Sequence, residues 1–564
     1  MEKFRQEIAK KIAPFLNMSS EAARALMEVP PNPAWGDIAI PCFSLAKTLR
    51  KAPQAIALDL AKAADFGGLA SRVEAMGGYL NITLEKTAVA RYIAQGILHD
   101  GASFGFTNKG AGKTVVIDFS SPNIAKPFGI GHLRTTVIGH SLSRIYSELG
   151  YRVVRVNHLG DWGTQFGKLI VAYKLLAKDD ELTSDPIGTL FRIYVEFHRR
   201  AESSPELLEE ARVWFRRLEE GDEEARSLWQ RFVEVSLKEY QRVYDLLGVE
   251  FDYWLGESYY EPLLASTVAA IEGQDLTTVS DGAVIVDLAD YGMPPCLLRK
   301  TDGATLYATR DIAAALYRDK KHHPELMLYV VGQEQTLHFK QVKQVLTLMR
   351  TPAGEKLVHV PFGLFKFPEG KMSTRRGNVI FLEDVLARAV DLALEVIHAK
   401  NPELENKRDI AQHVGVGAVV FGDLKHGRIK DVLFDWDEML NFDGETGPYV
   451  QYTHARACSI LRKAAVDPAL SDEAALTDEY ALPLIKLLGE FPQIIARSAS
   501  EYEPSVVARY VLDVASLFNR YYHNVRILGG EKDAAATRLA VVLATQRILA
   551  RGLYLLGLTA VDKM

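Results

Sequence analysis

The stretch from Thr114 to Gly150 decides the fold, and it reads TVVIDFSSPNIAKPFGIGHLRTTVIGHSLSRIYSELG. Thr114–Phe119 is rich in apolar β-branched residues, which is typical of a buried strand. After the loop Ser120–Ile130, a helical pattern places five apolar side chains on one face: Leu133, Val137, Leu142, Ile145 and Leu149. Gly150 supplies a helix stop, and a second strand follows at Val153, Val154 and Val156. This order predicts two parallel strands joined by a right-handed helical crossover.

The flanking sequence predicts three domains. Residues 1–110 mix helical stretches with the alternating run 77–84 and are expected to form a small α+β domain that ends at a glycine-rich turn. Residues 111–445 are expected to hold the parallel sheet, interrupted at about 171–280 by an insertion rich in charged, solvated amphipathic helices. Residues 446–564 read as entirely helical.

Three further features are predicted between the insertion and the helical end. Ala283–Leu288 reads as a strand, and the apolar run Leu326–Val331 suits a buried parallel strand. Cys296–Lys300 and Ala304–Ala308 flank Asp302-Gly303, which is a hairpin-type pair.

Composition excludes several classes of protein. The chain has 564 residues, of which 48% are hydrophobic and 24% charged, so it is expected to fold around several cores. The formal net charge of −6 argues against indiscriminate polyanion binding, although a local basic face is compatible with it. Apolar runs are too short for a membrane span, and charges interrupt the N-terminus too often for a secretory signal. Three widely spaced cysteines indicate neither a disulfide framework nor a zinc cluster, which suggests a reducing cytoplasm.

The first candidate site is the turn between the first strand and its helix. Gly129 and Gly131 allow a ligand to approach the backbone, and the helix start favours phosphate. His132 can hydrogen-bond phosphate oxygens, and Lys126 supplies a cation. The pattern is neither G-x-G-x-x-G nor the P-loop pattern, which disfavours a dinucleotide site. On its own, a glycine-rich turn with a surface histidine remains the alternative interpretation.

The second candidate site is the run GKMSTRRGN at residues 370–378. Its cations and hydroxyls, bounded by glycines, suit a loop that neutralises polyphosphate charge as a leaving group departs. A basic surface loop is the alternative.

Taken together, G-I-G-H and K-M-S-T resemble the paired motifs of class I aminoacyl-tRNA synthetases. Three other strings resemble the arginyl-tRNA synthetase family in particular: NHLGDWGTQFG at 157–167, LYATRD at 306–311 and GPYVQYTHAR at 447–456. The resemblance extends from the N-terminal domain to Met564. It implies a Rossmann-like catalytic domain, an N-terminal domain that contacts the tRNA elbow, and a C-terminal domain that binds the anticodon.

The resemblance also implies an activity. The protein is expected to activate L-arginine with ATP and Mg²⁺, and to transfer arginine to the terminal adenosine of tRNA(Arg). The family is mostly monomeric, and we expect a cytoplasmic monomer. In the family, the first motif is usually H-x-G-H and the second is K-M-S-K in most class I enzymes. In this chain Gly129 stands in place of the first histidine, and Thr374 stands in place of the last lysine. Lys126 matches the lysine that arginyl enzymes carry upstream of the first motif, and Arg375 is the second candidate substitute.

Residue roles carry over by position. The catalytic set is Lys126, His132, Lys371 and Arg375, and the ATP-binding set is Gly129, Gly131, His132, Lys371, Met372 and Ser373. The arginine pocket is Asp118, Asn123, Glu257, Tyr307, Asp311 and Gln335. The tRNA contacts are Tyr79, Asn81, Tyr452, Arg456, Tyr521, Tyr522, Asn524 and Met564.

Within the pocket, we expect Asp311 and Tyr307 to bind the guanidinium, and Asn123 with Gln335 to bind the α-ammonium. Asp118 has an alternative role as a loop-tethering carboxylate. Asp161-Trp162-Gly163 reads as a structural turn beside the pocket rather than a direct contact.

Two other functions remain as alternatives. Gly129 and Thr374 are compatible with a catalytically inactive relative that binds RNA. A carboxylate-rich pocket also suits lysine, although a site that matches the planar fork of a guanidinium should exclude it.

Overall fold

The computed structural model describes residues 2–177, 185–301, 303–366, 380–433, 435 and 444–564. The strands in chain order are β1 Ile38–Pro41, β2 Ala70–Met76, β3 Tyr79–Leu84, β4 Thr114–Asp118, β5 Arg152–Asn157, β6 Tyr253–Trp254, β7 Thr278–Ser280, β8 Ala283–Val286, β9 Cys296–Arg299, β10 Leu326–Gly332, β11 Leu357–Phe362, β12 Phe365–Lys366 and β13 Val432–Leu433.

The helices of the first half are Glu2–Leu16, Ser20–Ala25, Ala46–Leu49, Pro53–Ala63, Lys86–Asp100, Leu133–Glu148, Thr164–Leu176, Pro186–Ala201, Glu206–Glu220, Glu223–Leu247 and Glu257–Glu272. Those of the second half are Tyr307–His322, Thr336–Leu348, Pro352–Lys356, Leu382–Lys400, Lys407–Leu424, Gly447–Arg462, Glu473–Leu476, Ala481–Leu488, Phe491–Glu501, Ser505–Asn524 and Lys532–Leu555.

A five-stranded parallel sheet in the order β11-β10-β4-β5-β6 forms the centre of the molecule. The predicted strand–helix–strand unit is confirmed, because β4 and β5 are parallel and the helix Leu133–Glu148 connects them. Gly150 ends that crossover with a φ of +84°. All five strands run in the same direction, but the connections from β4 lead to β5 on one side and, later in the chain, to β10 on the other. This reversal of strand order predicts a crevice at the carboxyl ends of β4 and β10.

Helices cover both faces of this sheet. Along β4, Val115 and Ile117 pack into one hydrophobic core, and Val116 packs into another on the opposite face. In β10, Leu328 packs into the first of these cores and Met327 packs into the second. Burial on both faces explains why these strands read as nearly continuous apolar runs in the sequence.

The N-terminal residues form the predicted α+β unit. Its antiparallel sheet has the order β1-β3-β2. The run 77–84 divides into a turn and a strand, because Gly77 and Gly78 have φ values of +57° and +90° and connect β2 to β3. These left-handed conformations are the reason for two consecutive glycines at this hairpin.

The predicted hairpin around Asp302-Gly303 forms only in part, and Asp302 itself lies outside the described residues. β9 forms as expected, and the returning segment pairs with it through the Arg299–Thr305 bridge and through the N–H groups of Lys300 and Leu306. The second arm is shorter than predicted because a helix begins at Tyr307. Thr309 Oγ donates to the carbonyl of Leu298 at 2.6 Å, which holds the first helical turn against β9. β8 is confirmed as a strand, but it belongs to a separate antiparallel sheet with β7 and β9.

The helical predictions are confirmed in kind. Long helices occupy the insertion, and every regular element described from residue 447 onward is a helix. The last one, Lys532–Leu555, is buried over much of its surface, and it encloses Thr537, Thr545 and Gly552 as well as its apolar side chains. No helix in the described ranges combines the length and the apolarity that crossing a lipid bilayer requires.

Candidate active site

The first-motif turn leaves the carboxyl end of β4 in an unusual backbone conformation. Ser120, Ser121 and Ala125 have φ values of +73°, +49° and +61°. Left-handed conformations of non-glycine residues cost free energy, so they persist only where surrounding contacts hold them. The Ser120 hydroxyl supplies such contacts, at 2.8 Å from Thr136 Oγ and 2.6 Å from the Tyr244 hydroxyl.

The insertion holds the same turn from the other side. The Tyr240 hydroxyl lies 2.6 Å from the Asn123 carbonyl and 2.8 Å from the Lys126 carbonyl, and its single proton is shared between these two acceptors. Ser236 Oγ accepts from the backbone N–H of Ala125 at 3.0 Å. These residues lie on the helix Glu223–Leu247, more than 100 positions away in sequence, and no sequence motif indicated their role.

His132 lies where this turn enters the helix Leu133–Glu148. Burial lowers its pKa to about 4, and the nearby positive charge of Lys126 acts in the same direction. The imidazole is therefore neutral at pH 7, and one ring nitrogen can donate a hydrogen bond to an oxygen of a ligand. Nδ1 is buried without a hydrogen-bond partner in the described part of the chain. Gly129 is buried and Gly131 is exposed.

The chain that follows the second motif returns to the first. Ile130 N–H donates to the Ile380 carbonyl at 3.0 Å, and Leu382 N–H donates to the Phe128 carbonyl at 2.9 Å. Gly129 and Phe381 form the antiparallel bridge between them. The predicted residues Lys371, Met372, Ser373 and Arg375 lie outside the described residues. The contacts of residues 380–382 show that two stretches about 250 positions apart meet at one place.

A group of carboxylates lies beside this turn. Glu257 begins the helix Glu257–Glu272, and its pKa is raised to about 7. Burial is the main cause, and the negative charges of Asp311, Asp161 and Glu261 add to it, while Arg310 opposes them. Carboxyl groups held together in this way favour a cationic ligand, which would relieve their mutual repulsion.

Tyr307 and Asp311 occupy the first turns of the helix Tyr307–His322, so the expected shared face is confirmed. Asp311 hydrogen-bonds Nε2 of His338, and its side chain is 21% exposed. Tyr307 is 66% exposed, which leaves its ring accessible to a ligand. No sequence motif includes His338, so its contact with Asp311 could not be predicted from the sequence.

Asn123 and Gln335 are both exposed. Asn123 lies in the turn after β4, where its Oδ1 packs so close to Gly160 that a β-carbon there would come within 2.1 Å. Gln335 immediately precedes the helix Thr336–Leu348, just past the carboxyl end of β10. Both therefore belong to the crevice at the strand ends.

Asp118 faces a partner of its own chain. Its Oδ2 lies 2.7 Å from Nη1 of the fully buried Arg318, and its Oδ1 accepts from Ser121 Oγ at 3.1 Å. These contacts favour the loop-tethering interpretation over direct contact with substrate. Arg318 also approaches Nδ1 of His158 at 3.2 Å, so one buried guanidinium joins the ends of β4 and β5.

Asp161 has a structural environment. Its carboxylate accepts from the N–H and the hydroxyl of Ser258 at 2.8 and 2.6 Å. A β-carbon on Gly256 would lie 2.2 Å from Asp161 Oδ2, so glycine is needed for this close approach. Asp161 thereby fixes the start of the helix that carries Glu257.

The two candidate tRNA contacts of the N-terminal unit differ in exposure. Tyr79 is partly buried, and its ring packs edge-on against Phe43 at 5.2 Å. Asn81 is only 4% exposed in the central strand of the sheet. Its burial argues against the prediction that its side chain meets a nucleotide, although the alternation of β3 places it on the same face as the partly exposed Tyr79 and Thr83.

The helical region presents a stacked arrangement of side chains. The Arg456 guanidinium lies 4.8 Å from the ring centre of Tyr452 and 4.9 Å from that of Tyr522. Both rings are 39% exposed, so they form an accessible cation–aromatic surface. Tyr521 is fully buried, and its prediction as a tRNA contact is not supported, because the helix turns its ring into the core. Asn524 is exposed, and Met564 packs partly buried near Val561.

His454, Cys458 and Asp562 bring potential metal ligands within 4.8 Å of one another. Both ring nitrogens of His454 already have partners, since Nδ1 donates to the Val561 carbonyl at 3.0 Å and Nε2 accepts from Gln546 at 2.8 Å. The group thus acts as a hydrogen-bonded anchor for the final residues rather than as a vacant metal site.

Comparison with known families covers nearly the whole chain. The sequence profile described as tRNA synthetases class I (R), catalytic domain matches residues 94–436. Those described as the DALR anticodon binding domain and the arginyl tRNA synthetase N terminal domain match residues 450–564 and 2–84.

Individual proteins give the same result. An arginine–tRNA ligase of Clostridium perfringens is 47% identical over 564 residues, with all of both chains covered. One from Halothermothrix orenii is 46% identical over 563 residues, also with full coverage. The solved arginyl-tRNA synthetase of Thermus thermophilus superposes with a TM-score of 0.80 at 27% identity, over 95% of this chain and 96% of that one.

Proposed function

Because the chain belongs to the family of class I arginyl-tRNA synthetases, we propose that the crevice described above activates L-arginine with ATP and transfers it to tRNA(Arg). The observation that carries this proposal is the partly buried group of carboxylates around Glu257, which adjoins the turn where the two distant stretches meet. It is the place where a cationic amino acid and a phosphate donor can be held side by side.

The guanidinium of arginine is assigned to the carboxylates. Glu257 and Asp311 accept its planar array of N–H donors, and the accessible ring of Tyr307 lies one helical turn before Asp311. Asn123 and Gln335, on the strand-end loops, are assigned to the α-ammonium group. Asp118 contributes indirectly, by tethering the turn that carries Asn123.

ATP is assigned to the first-motif turn. Gly129 and Gly131 leave room for the nucleotide, neutral His132 donates to phosphate, and Lys126 supplies positive charge close by. Lys371, Met372, Ser373 and Arg375 are assigned from the family pattern alone. Mg²⁺ completes the proposal, since it prefers phosphate oxygens and water to a dedicated protein cage.

Activation is an in-line displacement at the α-phosphorus of ATP by the arginine carboxylate, with pyrophosphate as the leaving group. The attacking carboxylate is already ionised, so no general base is required. Positioning and charge stabilisation then account for the catalysis. In the second step, a ribose hydroxyl of the terminal adenosine attacks the arginyl carbonyl and releases AMP.

The tRNA is assigned to two surfaces. The Tyr452–Arg456–Tyr522 stack suits an unstacked anticodon base, because RNA loops are bound by stacking and by contacts to base edges. Asn524 and Met564 lie in the same helical region, and Tyr79 is assigned to the tRNA elbow. The proposed state is a cytoplasmic monomer.

Exchange of radioactive pyrophosphate into ATP, in the presence of tRNA(Arg), tests the pocket. Asp311→Asn should weaken the binding of arginine by roughly 2 to 5 kcal/mol, because the guanidinium loses a charged, largely enclosed partner, and should leave the KM for ATP nearly unchanged. Asp319→Asn is the matched control, since Asp319 lies on the same helix but pairs with Lys356 at 2.6 Å.

Three results would contradict the assignment. If Asp311→Asn weakens the binding of arginine and of ATP equally, Asp311 lies outside the arginine pocket. Exchange that is absent in the unaltered protein at saturating substrates indicates an inactive relative. If the protein charges tRNA with lysine more efficiently than with arginine, the assignment of arginine as the substrate is wrong.

A further inference from the structure

The two carboxylates assigned to the guanidinium lie on different helices. Glu257 begins the helix Glu257–Glu272, and Asp311 lies in the second turn of the helix Tyr307–His322. Because the backbone hydrogen bonds of a helix are internal, side-chain contacts between two helices set the spacing of the groups that they carry. A planar guanidinium binds two carboxylates best at one spacing, so these contacts bear on which amino acid the pocket accepts.

Two polar contacts between these helices lie on either side of Asp311 in the chain. Before it, Arg310 Nε is 3.7 Å from Glu261 Oε2. After it, the hydroxyls of Tyr259 and Tyr317 lie 2.8 Å apart, and their rings pack edge-on at 5.3 Å. The second distance is that of a hydrogen bond and the first is not, so the pair of tyrosines makes the closer contact.

A lysine adds to the pair of tyrosines. Lys321 lies four residues after Tyr317, on the same face of the helix, and its Nζ donates to the Tyr317 hydroxyl at 2.8 Å. The same ammonium group lies 4.4 Å from the ring centre of Tyr253 on β6. We call the side chains of Tyr259, Tyr317 and Lys321 the tyrosine–lysine latch. The latch joins its own helix both to the neighbouring helix and to the edge of the parallel sheet.

The Tyr317 oxygen accepts from both of its neighbours. Burial by itself would raise the pKa of Tyr317, but the hydrogen bonds from Lys321 and Tyr259 and the positive charge of Lys321 outweigh it and lower the pKa. The pKa of Tyr259 is raised, mainly by its hydrogen bond to Tyr317. Because one of the two donors is charged, the latch is stronger than a contact between two neutral hydroxyls.

The latch lies at the surface, close to the pocket in the chain but outside it. Tyr259 is 45% exposed, and it follows Glu257 by only two residues. Tyr317 is six residues past Asp311, which is about 9 Å along the helix. A shift at the latch therefore moves the end of the helix that carries Glu257 relative to the helix that carries Asp311.

We infer that Tyr259, Tyr317 and Lys321 are positioning residues that set the spacing of Glu257 and Asp311, and with it the affinity of the pocket for a guanidinium. The inference deepens the proposed function and depends on it. None of the three side chains contacts a substrate in this assignment. They act through the helices on which the two carboxylates lie.

Pyrophosphate exchange by the full-length protein with tRNA(Arg) tests the inference. Tyr259→Phe and Tyr317→Phe each remove one hydroxyl and keep the ring. The KM for arginine should rise at least about threefold in each variant, on the scale of one hydrogen bond, while kcat and the KM for ATP change less than about twofold. Lys321→Met should act in the same direction. The double phenylalanine variant should be no weaker than the weaker single one, because both hydroxyls form one contact.

Agmatine locates the effect within the pocket. It has the guanidinium of arginine but no carboxylate, so its Ki as a competitive inhibitor should rise by the same factor as the KM for arginine. Tyr253→Phe is the matched control, because it also removes a tyrosine hydroxyl from this surface but keeps the ring that faces Lys321. Its KM for arginine and its Ki for agmatine should equal those of the unaltered protein.

Several results overturn the inference. They are an unchanged KM for arginine in both phenylalanine variants, an equal loss for ATP, or a fall in kcat without a rise in the KM for arginine. Single effects that multiply in the double variant would mean that the hydroxyls act independently, and an unchanged Ki for agmatine would place the effect away from the guanidinium. If the unaltered protein shows no arginine-dependent exchange, the proposed function is refuted instead.

Discussion

Glu257 shows how a single position acquires its chemistry from its surroundings. An isolated glutamate is ionised at neutral pH, but burial beside Asp311, Asp161 and Glu261 raises its pKa to about 7. A bound guanidinium supplies the missing positive charge and favours the ionised form. Binding of arginine should therefore release a proton near neutral pH.

The pH dependence of arginine binding follows from that shift. Below pH 7 the free carboxyl becomes protonated and must lose its proton on binding, so the Kd for arginine should rise about tenfold between pH 8 and pH 6. Isothermal titration of the protein with arginine at each pH measures it. Glu257→Gln should bind more weakly and lose this slope. A flat profile in the unaltered protein would exclude Glu257 from the pocket.

The helix Leu133–Glu148 shows what one element requires of its neighbours. It carries the ATP turn at its start, and Gly139 in its middle allows it to lie directly on Phe119 after β4. A β-carbon at Gly139 would lie 2.2 Å from Phe119 Cγ, closer than atoms can approach. The glycine lowers helix propensity, and the close packing explains why it is there.

Two alanine substitutions at helical glycines should have opposite effects. Gly139→Ala forces Phe119 to move and should lower the free energy of unfolding by about 1 to 3 kcal/mol. Gly96→Ala, inside Lys86–Asp100, meets only Phe104 at an ordinary 3.5 Å and should raise it by about 0.5 to 1 kcal/mol. Thermal unfolding of both variants measures the sign of each change in stability. Equal shifts would mean that packing against Phe119 does not govern the position.

At the scale of the whole molecule, the final helix joins all three regions. Within Lys532–Leu555, Arg547 bonds to carbonyls of the N-terminal unit, and Arg551 pairs with Glu148 at the end of the helix Leu133–Glu148. Glu148 is only 1% exposed, whereas Arg551 is 30% exposed. A carboxylate buried to this extent depends on its partner.

Removing that partner should cost stability. Arg551→Met leaves Glu148 without its ion pair and should lower the free energy of unfolding by about 3 kcal/mol, the low end for a buried pair, because Arg551 retains contact with solvent. Urea unfolding of the full chain measures this. The double variant Glu148→Gln, Arg551→Met should regain much of the loss. If the double variant is no more stable than the single one, the unpaired charge is not the cause.

The sequence alone determined the parallel sheet, the helical character of the insertion and of the C-terminal region, and the family. Strands β4 and β10 are buried on both faces, so their apolar runs are visible without a structure. The shared face of Tyr307 and Asp311 also followed, since helical spacing is a local property.

Only the tertiary structure decided which polar groups are already engaged. Asp118 forms an ion pair with Arg318, and the side chains of Asn81 and Tyr521 are buried. These contacts could not be predicted from the sequence, because they depend on residues far away in the chain. The same is true of Tyr240 and Ser236, which contact the ATP turn from the helix Glu223–Leu247, and of the Lys430 carbonyl, which accepts a hydrogen bond from Arg134. Local propensity and motif spacing contain no information about such contacts, since they arise only when distant segments pack together.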